Sequence, residues 1–275
     1  SASGGGISKN SSESFDASLA IAPYGTPWVA WTDIPGGGDS EIYVRRFDGV
    51  SWVEVGAGSA TGGGISNNSG DSEEPSLAIG SDGSVFVAWT EGSAGDAEIY
   101  VKRWNGSAWV SAGAGSASGG GISNNADSSR SPALAVVNSN LAYVAWGDRS
   151  GGDTESYAMV WNGSAWMPAG ANAASGGGIS NNSGDSLEVS RNIGRDGFPV
   201  VAWTDLSSVN GAEIYARRWN GTSWQEVGLS ATLGGISGNP GYSSESSVAV
   251  APDGTPYVMW SNAVTGGSAV YARRY

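Results

Sequence analysis

The chain has 275 residues, 39% of them hydrophobic, with 45 glycines, 13 tryptophans, no cysteine and no histidine. Disulfides, thiolate metal sites, the usual zinc ligands and every histidine-based triad or pH switch are thereby excluded. A formal net charge of −13 argues against nucleic acid or an anionic membrane as partner, and no apolar run approaches the roughly 18 residues of a membrane-spanning helix.

In chain order the first feature is a glycine-rich heptapeptide that keeps returning. It reads "GGGISKN" from Gly4, "GGGISNN" from Gly62, Gly119 and Gly176, and "GGISGN" from Gly234. Its isoleucine falls at Ile7, Ile65, Ile122, Ile179 and Ile236, in steps of 58, 57, 57 and 57. A marker tryptophan (Trp31, Trp89, Trp146, Trp203, Trp260) takes the same steps, and Tyr43, Tyr100, Tyr157, Tyr215 and Tyr271 follow in register. A fixed period of this length is the signature of a repeat architecture. The opening "SASGGGIS" falls partway through a repeat and carries no signal peptide, so it reads as a mature piece.

The second repeat, 59–115, shows the design. "PSLAIG" (75–80) predicts a short apolar strand, and the Asp-Gly pair of "SDGS" a tight hairpin turn. "VFVAWT" (85–90) is β-branched and aromatic, hence a second strand. "AEIYVKRW" (97–104) alternates as a third strand, Asn105–Gly106 turns it, and "AWVSAG" (108–113) returns as a fourth. A long polar connection bearing the heptapeptide leads to the next copy. No segment has helical periodicity.

Four antiparallel strands and one crossover, five times over, cannot bury both sheet faces unless the sheets pack on one another. The expected fold is therefore all-β, a five-bladed β-propeller of 57–58-residue repeats. It forms one domain over 1–275, with blades at 1–58, 59–115, 116–172, 173–230 and 231–275. The last repeat stops at Tyr275, where its third strand ends, so the fifth blade lacks an outer strand of its own. Its edge is left open, covered by the N-terminal segment, or used for self-association.

Three groups of residues could carry chemistry. The heptapeptide leads into no helix, and one copy alone has a lysine (Lys9), which excludes a phosphate cradle. "SNNSGDSEE" (66–74) offers oxygen ligands without the dense spacing calcium needs, so it reads as a polar crossover loop, with no metal and no cofactor. Acids recur two residues past the marker tryptophan (Asp33, Glu91, Asp148, Asp205) and two before the marker tyrosine (Glu41, Glu98, Glu155, Glu213). The fifth repeat has Asn262 and Ala269 there. Paired carboxylates suit a glycosidase, but an enzyme has one site of non-equivalent residues. A set repeated alongside Arg45–Arg46, Lys102–Arg103, Arg217–Arg218 and Arg273–Arg274 reads as inter-blade ion pairing. Tryptophans flanking the Asn-Gly turns pack as cross-strand partners and also offer flat faces to a sugar ring.

The pattern "PSLAIGSDGSVFVAWT…EIYVKRWNGSAW" is similar to bacterial propeller repeats and to the propeller lectins, the five-bladed tachylectin-like proteins and bacterial fucose-binding propellers being nearest in design. It also resembles the sialidase propellers, without their Ser-x-Asp-x-Gly-x-Thr-Trp spacing. The lectin resemblance implies sugar sites in the clefts between blades. The expectation is a non-enzymatic, multivalent carbohydrate-binding protein whose partners are glycans, weak sites gaining strength on clustered ligands. Its sites would be Asn67, Asn68, Asp71 and Trp109; Asn124, Asn125 and Trp166; and Asn181, Asn182, Asp185 and Trp224. The alternatives are a structural propeller from recent repeat amplification, and a glycosidase or sialidase-like enzyme. The compartment stays open, secretion or surface display being the one a glycan ligand favours.

Overall fold

The computed structural model describes residues 6–92, 95–194, 196–208, 211–228, 230, 234–238, 241–264 and 266–275. The first five, where the opening heptapeptide and the N-terminal cover expected for the fifth blade begin, lie outside the described residues. Each repeat forms one antiparallel sheet with its strands in chain order. The first holds β1 (Ser14–Ile21), β2 (Pro27–Asp33), β3 (Glu41–Phe47) and β4 (Trp52–Glu54); the second β5 (Ser72–Ile79), β6 (Val85–Glu91), β7 (Glu98–Trp104) and β8 (Trp109–Ser111). The third holds β9 (Ser129–Asn138), β10 (Leu141–Asp148), β11 (Glu155–Trp161) and β12 (Trp166–Pro168), and the fourth β13 (Ser186–Ile193), β14 (Pro199–Asp205), β15 (Glu213–Trp219) and β16 (Trp224–Glu226). The fifth has three, β17 (Tyr242–Val250), β18 (Pro256–Val264) and β19 (Gly267–Arg274). This is the all-β, five-bladed propeller class that the repeats predict, its short fifth blade included. A single 3₁₀ turn, Pro35–Gly37, is the helical element among the described residues.

By internal contacts the chain divides into two compact units, Ser1–Ala142 with Trp161–Trp166, and Tyr143–Val160 with Met167–Tyr275. In the first, Trp28, Ala30, Ile42 and Val44 of one sheet bury themselves against Leu77, Val87 and Trp89 of the next, with Ile65 between them. In the second, Val200, Ala202, Ile214 and Ala216 meet Val248, Val258 and Trp260, with Ile236 in the equivalent place. The heptapeptide isoleucine is thus a core residue, not part of an exposed loop.

The heptapeptide docks on a third strand much as an extra strand would. Ile65 N–H donates to Ile42 O at 2.7 Å, and the same bond runs from Ile122 to Ile99, Ile179 to Ser156 and Ile236 to Ile214. The following serine accepts from a strand N–H, as Ser66 Oγ does from Ile42 N at 2.8 Å, and donates to a glutamate, as Ser66 does to Glu41 Oε2 at 2.5 Å. At Gly64 (φ +61°) a Cβ would run into Ile42 O and the Tyr43 ring, so the close approach demands glycine there. The residue after the serine is left-handed at Lys9, Asn67, Asn124 and Asn181, a conformation asparagine tolerates better than most residues.

Two details depart from the strands expected. The inner strands start earlier, β5 at Ser72, because a bulge between Glu73 and Ser76 bends the chain in, with Glu74 in the left-handed region. Asp16, Ser131, Glu188 and Glu245 repeat that conformation. The outermost strands are three residues long in four sheets, because the chain leaves early to carry the heptapeptide inward.

Candidate active site

The two recurrent acids of a repeat lie directly opposite each other on its second and third strands. The register pairs Asp33 with Glu41, Glu91 with Glu98 and Asp205 with Glu213. Opposite residues of an antiparallel pair share a face, with Cβ atoms about 4.5–5.5 Å apart. Each of these three repeats therefore builds a carboxyl pair.

Both acids are held by neighbours of fixed identity. The marker tryptophan donates its indole N–H to the acid two residues on: Trp31 to Asp33 at 3.0 Å, Trp89 to Glu91 at 2.8 Å, Trp146 to Asp148 at 2.9 Å and Trp203 to Asp205 at 2.9 Å. Ser72 Oγ adds a second donor to Glu91 Oε2 at 2.7 Å. The third-strand glutamates accept from heptapeptide serines, Glu98 from Ser123, Glu155 from Ser180 and Glu213 from Ser237. The basic side chains expected to pair with these acids go elsewhere in the first two repeats. Arg45 Nη1 donates to Ile7 O and Lys102 Nζ to Ile65 O, both at 2.6 Å, while Arg218 pairs with Asp196 at 2.6 Å. A buried carboxylate needs donors rather than a charge partner, and indole and hydroxyl supply them.

Burial sets the titration. It pushes the Glu155 carboxyl up to about 7 although Ser180 and the Asn182 backbone N–H pull the other way, with Asp153 and Asp205 adding to the rise. Glu41, its counterpart in the first repeat, is raised for the same leading reason.

In the second repeat the carboxyl pair opens into a pocket of about 360 Å³. Glu91 and Glu98 line it with Asp96, Tyr100, Asn124 and Asn125, and Gly92, Gly119 and Gly120 form its backbone wall. Asn125 N–H donates to Glu98 Oε1 at 3.1 Å, and Tyr100 Oη to Gly119 O at 2.5 Å. This repeat alone carries glutamate after the marker tryptophan, where the first, third and fourth carry aspartate and the fifth asparagine. The sequence marks this difference as one extra methylene, which a reading of the acids as equivalent does not use.

The residues expected to hold a sugar are dispersed. Asn67 and Trp109 line a second pocket, of about 320 Å³, with Lys102 and Trp104. Asn124 and Asn125 line the acidic pocket instead. Asn68 caps its own turn by accepting from Gly70 N at 2.8 Å, and Asn182 donates to Asp205. Asn181 takes the left-handed position (φ +51°) and its N–H donates to Gly177 O. Asp71 Oδ1 accepts from Ser40 N at 3.1 Å, and Asp185 Oδ1 from Thr154 N at 2.7 Å. Trp109, Trp166 and Trp224 donate their indole N–H groups to Val55, Ala112 and Ala169 carbonyls at 2.7–2.9 Å, bracing one repeat on the one before it.

No protein-family model and no curated protein matches the chain. Solved structures share its fold. An endo-arabinase from Bacteroides thetaiotaomicron is similar over 94% of this chain and 93% of its own, with a TM-score of 0.50 and 9% identity. An α-L-arabinanase from Penicillium chrysogenum complexed with arabinobiose matches over 92% and 78%, at 0.53 and 13%. An α-L-arabinofuranosidase from Fusarium graminearum, in complex with an iminosugar inhibitor, matches over 95% and 92%, at 0.51 and 10%. At these identities the likeness shows the propeller fold. The lectin resemblance and the expectation of a non-enzymatic, multivalent carbohydrate binder are corrected by it: these neighbours are glycoside hydrolases. Among the expected sugar ligands, Asn68, Asn182, Asp71 and Asp185 bond to neighbouring protein groups, and the four that line pockets divide between two of them.

Proposed function

We propose that the chain is a glycoside hydrolase whose site is the pocket of the second repeat, with Glu98 as general acid and base and Glu91 as nucleophile. The observation that carries this reading is the carboxyl pair itself: two glutamates opposed across a strand pair and opening into one pocket. The two side chains leave facing positions of adjacent strands, and two carboxyl groups flanking one glycosidic bond are what a glycosidase requires. In such a reaction Glu98 gives its proton to the leaving oxygen while Glu91 attacks the anomeric carbon. Glu98, now a carboxylate, then takes a proton from the water that releases the glycosyl ester. Tyr100, Asn124 and Asn125 supply the polar groups that orient sugar hydroxyls.

The names of the similar folds make arabinan and aryl arabinofuranosides the first substrates to assay, within a wider panel of aryl glycosides. The wild-type chain is expected to release sugar from at least one of them. Glu91→Gln is expected to lower that rate by roughly 10²-fold or more while leaving far-UV circular dichroism unchanged. A folded protein that cleaves nothing on the panel contradicts the reading.

A further inference from the structure

We propose that the second pocket, bounded by Lys102, Trp104, Trp109 and Asn67, binds an organic carboxylate carried on a flat-faced ring. The inference is independent of the hydrolase reading and uses none of its catalytic residues.

Three observations carry it. Among the described residues no carboxylate lines this pocket, although the chain as a whole carries twice as many acids as bases, 26 against 13. Its cation is half-buried and, among the described residues, bonds the Ile65 carbonyl at 2.6 Å. An ammonium has three donors, so its remaining N–H groups are available to a ligand. Desolvation lowers the Lys102 pKa, while the charges of Glu91 and Glu41 oppose the drop; neither of these acids lines the pocket. A ligand anion would give the half-buried ammonium a counter-charge.

The rest of the pocket selects the ligand's body. Trp104 and Trp109 stand 5.7 Å apart at 54° and form an aromatic corner. Gly56 (φ +85°) lies so close to the Trp104 ring that a Cβ there would meet it at 2.8 Å, so the ring is fixed from below. A rigid π-face beside a cation suits a ring bearing a carboxylate. Asn67 adds an amide at the rim. Lysine stands here in one repeat: the equivalents of Lys102 are Arg45, Met159, Arg217 and Arg273.

Two ligand sources share this chemistry, an acidic sugar and an aromatic acid, and two probes separate them. Tryptophan fluorescence of the whole chain is titrated with D-galacturonate and with benzoate, with D-galactose and benzyl alcohol as neutral controls. At least one carboxylate is expected to give a saturable change that its neutral control does not give. Lys102→Met is expected to weaken it at least tenfold, and Lys102→Arg by no more than a few fold. Methionine occupies this position in the third repeat, so the first variant keeps a side chain the fold already accepts. The absence of saturation with both acids overturns the inference. So does equal binding by the neutral controls, or binding unchanged in Lys102→Met.

Discussion

At the scale of single residues, the protein places carboxyl groups where water is scarce and then satisfies them with indole and hydroxyl donors. Glu155 shows the consequence. Burial pushes it up to about 7 from an ordinary 4.5, so between those values the folded chain holds a proton that the unfolded chain has released. Stability must then fall as pH rises from about 4.5 to about 7, and the loss is complete above that window. Glu155→Gln removes the titration while keeping an oxygen that can accept from Ser180. Chemical denaturation at pH 4.5 and pH 8 is expected to show the variant gaining stability over the wild type at the higher pH and little or nothing at the lower. A variant less stable than wild type at pH 8 would mean that the Ser180 contact outweighs the burial of charge. The same logic explains why arginine was the wrong partner to expect. The guanidinium of Arg45 and the ammonium of Lys102 are engaged by carbonyls of the heptapeptide.

At the scale of elements, the heptapeptide is the joint between repeats, and its glycines are not interchangeable. Gly62 and Gly64 share a left-handed φ near +60°, but a Cβ at Gly62 meets nothing within 4 Å whereas one at Gly64 strikes Ile42 O. Alanine at position 62 is therefore expected to cost about 1–2 kcal/mol for the backbone conformation alone. Alanine at position 64 should cost clearly more, because the Ile65 to Ile42 hydrogen bond must also lengthen. Urea unfolding of the two variants ranks them, and equal losses would refute the docking role. Strand order and hairpins were legible in the sequence because Asn-Gly and Asp-Gly turns and alternating aromatics each act locally. The bulge at Glu74 was not. It fixes a left-handed glutamate through bonds made far along the chain, Oε2 accepting from Thr90 Oγ1 at 2.7 Å and from Ser131 N at 2.9 Å, and nothing in the residue's own type announces it.

At the scale of the whole molecule, five-fold periodicity made the fold class plain, down to the three-stranded last sheet, because each repeat spells one sheet. The same periodicity gives no means of singling out one repeat. Residues equivalent by position read as equivalent in role, so Glu91 was grouped with the aspartates at its position and the asparagines with three alike sugar sites. The repeats also set a standard for burial. Leu77 is 3% exposed, but Leu19 at the same place in β1 is 62% exposed; in the fifth sheet Val270 is 70% exposed and Met259 48%. Exposed apolar side chains on the fifth sheet favour association. Light scattering is expected to show a mass rising with concentration, reduced by Val270→Lys; a concentration-independent monomer would contradict this. The central claim is that one repeat does the chemistry while its siblings do not. The direct measurement is the hydrolysis rate of four variants, Glu41→Gln, Glu98→Gln, Glu155→Gln and Glu213→Gln, on one cleaved substrate. A loss of roughly 10²-fold or more confined to Glu98→Gln is the predicted result, and small, similar effects at all four positions would contradict it.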